Sequence, residues 1–216
     1  MKLKSKLLPA VLFVFMFNCF LLSFAEEPAS IQLPNPQKDG GKPLMAALNS
    51  RMSTRSFSGE KLPMQTLSNL LWAAFGINRP DGRRTAPSAK NWQEIDIYVV
   101  TADGAYLYDA KKNALDRIVT KNIMAMTGSQ VFVKDASVNL VYVADYSRVS
   151  EEGPARATLI GADAGLISEN VYLFCASEGL ATVVRYSVDR DALAKELKLR
   201  PEQNIILAQS VGYPKK

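Results

Sequence analysis

Histidine is missing from all 216 residues. That absence excludes Ser-His-Asp and Cys-His catalysis, His-ligated zinc or iron, and haem held by a proximal histidine. Cysteine is almost missing too. Cys19 and Cys175 make neither a CxxC redox pair, nor an iron–sulfur site, nor a disulfide framework. Side-chain chemistry is therefore left to carboxylates, hydroxyls, Lys and Arg, or it is borrowed from a cofactor; no resident metal is expected. What remains is ordinary: 48% hydrophobic and 22% charged residues, with length for one good-sized domain.

The first residues read as a targeting segment. Lys2, Lys4 and Lys6 form a positive start, and Leu7 to Leu22 is an almost unbroken apolar run. Ser23-Phe24-Ala25 then offers small residues where a signal peptidase reads, so residues 1–25 are expected to be a cleaved signal peptide. Removing those three lysines lowers the formal charge from +5 by three, to +2. The expectation is a periplasmic or secreted protein with no membrane span in its mature form and no nucleic-acid partner. An uncleaved anchor and a lipid-modified Cys19 are the rival readings. The run is slightly short for a span and carries Asn18, and Met16-Phe17-Asn18 lacks the small residues expected before a lipidated cysteine.

Residues 26–42 are rich in Pro, Gln, Gly and Asp without periodicity, which predicts an extended arm or linker. Residues 43–216 form the folded domain. Helices are expected at Pro43 to Asn49, at Pro63 to Phe75 (Leu67, Leu70, Leu71 and Ala74 on one stripe, Gly76 as stop), at Ala157 to Ser177, and at Arg190 to Leu197. Strands are expected at Ile95 to Thr101, at Ala105 to Asp109 after the Asp103-Gly104 turn, at Ser137 to Ala144, at Leu180 to Tyr186, and at Gln203 to Val211. Gly161, Ala162, Ala164 and Gly165 give the long helix a small-residue patch where another helix could approach. The order implies an α+β fold rather than a regular βαβ repeat.

Three short constellations carry possible chemistry. In Arg51-Met52-Ser53-Thr54-Arg55, alternate residues of an extended segment place two guanidinium forks and a hydroxyl on one side, suited to a phosphate or an electron-rich ring edge. A solvated basic turn has the same composition. Arg84 to Gln93 leads straight into the Ile95 strand, and Asn91 offers a donor and an acceptor that match a cyclic imide, or that merely cap a turn. Glu178-Gly179-Leu180 follows the long helix, where glycine permits close backbone approach with free N–H groups, or simply ends the helix. Glu151-Glu152 and the Asp189, Asp191 pair fit capping and solvated turns better than acid catalysis, and Cys175 sits in an apolar run as a core residue.

With those residues in order, the chain resembles the nitroreductase family of FMN-dependent oxidoreductases from about Leu44 to Pro214. Thr85 to Ser88 before a strand is similar to the peptide-azoline dehydrogenase-like branch, and Gly212-Tyr213-Pro214 matches the family's ending. The resemblance implies a central, mostly antiparallel sheet flanked by helices in an intertwined homodimer with FMN at the subunit interface. It assigns the FMN phosphate and ribityl chain to Arg51 and Ser53, and flavin N1 and O2 to Arg55. Ser88 and Asn91 would contact the ring or the facing phosphate region, Gln93 the pyrimidine edge, and the backbone at Glu178 and Gly179 flavin N5 and O4. Two features depart from the family's pattern: its usual Pro after Asn-x-Gln is Glu94 here, and the basic phosphate ligand that many relatives supply well past Gly-Tyr-Pro has only Lys215 and Lys216 as candidates, neither of which is assigned. The implied function is hydride or electron transfer through flavin N5, on a nitroaromatic, quinone-type or azoline-type small molecule, with no side-chain acid or base identified. A non-catalytic flavin- or ligand-binding protein on the same fold is the alternative.

Overall fold

The computed structural model describes residues 29–216, so the expected signal peptide and Cys19 lie outside the described residues. Seven strands form one sheet: β1 (Ser30–Gln32), β2 (Ile95–Thr101), β3 (Gly104–Asp109), β4 (Ala114–Val119), β5 (Val138–Asp145), β6 (Ala181–Arg185) and β7 (Gln203–Gly212). They lie in the order β1-β4-β3-β2-β5-β7-β6, and each neighbouring pair is antiparallel. Four helices complete the fold: α1 (Leu44–Ser50), α2 (Met64–Phe75), α3 (Gly153–Glu178) and α4 (Arg190–Glu196).

The sheet is covered on both faces, which explains why its central strands read as apolar runs rather than alternations. All eight residues of β5 are buried. Leu140, Tyr142 and Ala144 join Ile97, Val99, Leu70, Leu71, Val171 and Cys175 under α2 and α3. Val141 and Val143 join Tyr98, Val100, Leu193 and Leu197 on the α4 face. The apolar stripe read in α2 is buried as expected, and Gly76 caps it with its N–H on the Trp72 carbonyl.

Three expectations need correcting. The segment expected as an extended arm or linker is part of the sheet: β1 pairs with β4, Leu33 is buried, and its N–H donates to Asn113 O at 3.0 Å. The hairpin of β2 and β3 continues into a third strand, β4, whose Asp116 and Arg117 mask it in the sequence and which pairs on its other side with β1. The long helix also begins four residues earlier, because Gly153-Pro154 places proline in its first turn, where a missing N–H costs nothing.

α3 organises the molecule. Ile160, Asp163, Ala164, Ile167, Ser168, Val171, Tyr172 and Cys175 are its buried residues. Gly161, Ala162, Gly165 and Leu166 are exposed, and no atom lies within 4 Å of where a Cβ would stand on either glycine. Among the described residues it is the one helix long and apolar enough to cross a membrane, and its packing on the sheet accounts for that composition.

Candidate functional site

The expected site residues fall into two clusters, held at different points of α3. The first is the basic segment. The Arg51 N–H caps α1 on Ala47 O, and the chain then runs extended: Thr54 N–H donates to Thr182 O at 2.9 Å, and Phe57 bridges to Pro214. Ser53 Oγ lies 2.8 Å from the Tyr172 hydroxyl, which also accepts the Val184 N–H at 3.0 Å. The Arg51 guanidinium stands 5.2 Å over the Tyr172 ring. Arg55 is exposed, and neither arginine has a carboxylate partner among the described residues. Tyr172 is the residue sequence reading missed; its contact with Ser53 spans 119 positions and leaves no local signal.

The second cluster is the Ser88–Gln93 loop. Lys90, Asn91 and Gln93 have φ of 49°, 56° and 49°, three of the five non-glycine residues with positive φ among those described. Each is a costly backbone state, and such states persist where the surroundings over-determine them. The surroundings are visible. Ser88 Oγ accepts the Gln93 N–H at 2.9 Å; the Gln93 side chain accepts from Arg84 Nε at 2.9 Å and donates to Asn91 Oδ1 at 3.1 Å and Gly82 O at 3.2 Å. Arg84 is anchored on Phe75 O at 3.0 Å, and burial holds its guanidinium below the usual arginine range. Arg148 donates to Gln93 O at 2.7 Å and pairs with Asp96. Among the described residues the Asn91 side-chain amide N–H groups and the Ser88 O–H remain uncommitted, their oxygens accepting from Gln93.

Beneath this loop lie two carboxyl groups. Asp163 of α3 accepts the Ala89 N–H at 2.8 Å. Glu94 is fully buried, and among the described residues neither of its oxygens makes a well-formed hydrogen bond. Its carboxyl faces Asp163, and burial first, then that neighbouring carboxylate, push its pKa from 4.5 to about 7.

Glu178 and Gly179 lie apart from both clusters' side-chain contacts. Gly179 takes the left-handed conformation, φ 71° and ψ 25°, as the cap of α3. Its N–H and that of Leu180 both donate to Cys175 O, so the free donors read from the sequence are spent on ending the helix. Asp163 and Tyr172, which anchor the two clusters, are nine residues apart on α3, about 14 Å at 1.5 Å per residue.

A single antiparallel sheet carrying one long helix, with a basic segment and a strained polar loop moored along it, is an α+β architecture of the nitroreductase type. A nitroreductase-like protein of Ralstonia eutropha has the same fold, with a TM-score of 0.83 and 42% identity over 88% of this chain and 91% of that one. The chain belongs to the Nitroreductase family, whose pattern it matches over residues 48–213, and its general class is oxidoreductase. A nitroreductase-like protein of Methanocaldococcus jannaschii is 30% identical over 164 residues, 71% of this chain and 81% of the relative. A nitroreductase-like protein of Desulfovibrio desulfuricans, solved in complex with FMN, shares the fold at 20% identity and a TM-score of 0.60, covering 82% of this chain and 89% of its own.

Proposed function

We propose that the protein is an exported FMN-dependent oxidoreductase acting as a homodimer. The observation that carries this reading is the Arg51–Arg55 segment: two guanidinium groups and a hydroxyl on one extended stretch, without acidic partners among the described residues, in a chain of the Nitroreductase family. The FMN bound by the Desulfovibrio relative supports the cofactor.

The residues present fit FMN. Arg51 and Ser53 take the phosphate and ribityl chain, Ser53 being set in place by Tyr172. Arg55 would lie near flavin N1 and O2, where its positive charge would favour the reduced ring. Ser88 and Asn91 contribute their uncommitted donors to the ring or the facing phosphate region. Gln93 acts one step back: its amide is committed to Arg84, Gly82 and Asn91, so it orients Asn91 near the pyrimidine edge. The Glu178–Gly179 turn, with its amides on Cys175, drops out of the donor set for N5 and O4. Bound FMN supplies hydride transfer at N5, and the chain supplies orientation and charge.

The dimer reading rests on exposed apolar surface. Leu44, Met45, Leu48 and Met52 on and just after α1 are exposed, and so are Gly161, Ala162, Gly165 and Leu166 on α3. A partner subunit would cover these residues and set the two clusters of opposite chains around each FMN. Substrates are nitroaromatic or quinone-type acceptors or an azoline-type small molecule, the Thr85–Ser88 run favouring the last. Export rests on the Lys2–Ala25 pattern, and outside the cytoplasm, where nicotinamide is scarce, the electron partner would be another carrier or oxygen.

An absorbance spectrum tests the cofactor. Flavin bands near about 370 and 450 nm after purification or FMN addition are expected; a protein that takes up no FMN overturns the reading. N-terminal sequencing should find Glu26 first, and a membrane-bound form retaining upstream residues overturns export.

A further inference from the structure

Glu94 is a charge-bearing side chain where charge is hardest to keep. It is fully buried, and among the described residues neither oxygen makes a well-formed hydrogen bond; its own backbone N–H favours the charged form, but burial outweighs it. Ion pairing does not explain it. Among the described residues two charged side chains act on it: Asp163 from α3, of like sign, and Arg148 from the turn after β5. Arg148 is already engaged by Asp96, by Gln93 O at 2.7 Å and by Asp145 Oδ2 at 3.4 Å. The remaining way to satisfy Glu94 is a proton between the two carboxyl groups, since touching carboxylates cannot both ionise in a dry site.

The location gives that proton a consequence. Asp163 is not free to move: its Oδ2 accepts the Ala89 N–H at 2.8 Å, at the start of the strained Lys90–Gln93 stretch. Glu94 follows that stretch directly, and its own carbonyl accepts the Asp145 N–H at 2.9 Å, fixing it to β5. The loop is thus gripped at both ends by a pair of acids that depend on one proton.

We infer that Glu94 is a positioning residue: the proton it shares with Asp163 fastens the Ser88–Gln93 loop to α3 and holds Ser88 and Asn91 in place for the flavin. The flavin in this statement rests on the function proposed above; the proton link does not. When the proton leaves, two buried like charges face each other, and the cheapest relief is for one carboxylate to turn toward water. Asp163 then gives up Ala89, and the three left-handed residues lose what over-determines them. Loop competence therefore follows the protonated fraction, with a midpoint at the Glu94 pKa of about 7. Because apparent affinity scales with the competent fraction, FMN should bind about ten-fold more weakly at pH 8 than at pH 6.

Two measurements on the full chain separate the proton link from the flavin reading. In flavin-free protein, the Ala89 amide NMR signal should move with pH with a midpoint near about 7, and that inflection should vanish in Glu94→Gln, which keeps a neutral donor permanently. In FMN titrations followed by flavin fluorescence, Glu94→Gln should hold its dissociation constant within about two-fold from pH 6 to 8 while the natural protein loses about ten-fold. The FMN phosphate's own ionisation is common to both proteins and cancels in the comparison. Should Glu94→Gln fail to fold, Asp163→Asn serves instead: its amide gives the Glu94 carboxylate a donor, so the Ala89 inflection should shift below about pH 7. An Ala89 signal without inflection between pH 5 and 9, or a Glu94→Gln protein with the natural pH dependence, overturns the inference. If FMN does not bind at pH 6 the flavin reading falls, and the Ala89 signal alone decides the proton link.

Discussion

The basic segment and the polar loop use opposite strategies to prepare a binding surface. Arg51 to Arg55 is held mainly by its backbone and by Tyr172, leaving its cationic ends without acidic partners among the described residues. Ser88 to Gln93 is wired internally, with Gln93, Arg84 and Arg148 consuming one another's donors and three residues in left-handed geometry. The first region would bind by offering charge that nothing else satisfies. The second would bind by having its shape fixed beforehand, at the expense of local backbone strain. Mutations should therefore act on affinity in one region and on shape, stability and pH response in the other.

The largest expected effect tests the assembly that would bring the two regions of different chains together. A Cβ at Gly165 meets nothing within 4 Å beyond its own helix backbone, and replacing a helical glycine favours the helix. Gly165→Glu should thus leave a folded protein but abolish the dimer in sedimentation. A dimer unchanged at micromolar concentration would move the interface away from α3.

Next comes stability around Glu94. Because its native pKa is raised, the folded chain keeps a proton that the unfolded chain releases between pH 4.5 and about 7. Stability is therefore lost as pH rises through that window and is flat above it. Glu94→Gln should escape the loss, gaining up to about 3 kcal/mol over the natural protein at pH 8 and nothing at pH 4, as read by urea unfolding. An equal gain at both pH values would assign the effect to packing instead.

In the basic segment, Arg51→Ala should weaken FMN by about 2–3 kcal/mol, roughly 30- to 140-fold, while riboflavin, which lacks the phosphate, hardly changes. Arg55→Ala should instead lower the flavin potential by roughly tens of millivolts, with a smaller loss of oxidised-FMN affinity. Equal losses of FMN and riboflavin in both variants, with the potential unmoved, would reduce the segment to a solvated turn.

The smallest effect probes the loop's strain. Lys90 has φ 49° and an exposed ion pair with Glu151. Lys90→Gly should be neutral or stabilising by up to about 1 kcal/mol, against the usual sign for a glycine substitution. A clear destabilisation in thermal melts would show that the loop's geometry is not strained.

The sequence exposes these regions unequally, for physical reasons. α2 is legible because its stripe and its glycine stop are local, and the alternate guanidinium groups of Arg51 and Arg55 are legible because extended backbone places them automatically. β1 and β4 are not, since an edge pair three residues long is defined by its partner, not by its own pattern. Gly179 shows the ambiguity of a glycine after a helix: approach to a ligand and a left-handed cap need the same residue, and the amides on Cys175 decide for the cap. Tyr172 beneath Ser53, and Glu94 against Asp163, arise from contacts across many residues, and no local pattern announces them.

Cys175 adds a practical consequence. It is wholly enclosed between α3 and the sheet, and burial raises its thiol pKa well above the usual range, so little thiolate exists to attack an oxidant or an alkylating reagent. Such a sulfur is silent while the core is closed and reacts once the core opens. In a chain beginning at Glu26 it would be the sole thiol, a built-in stopwatch: its rate of capture by an excess of reagent counts core-opening events, without any probe being engineered into the protein.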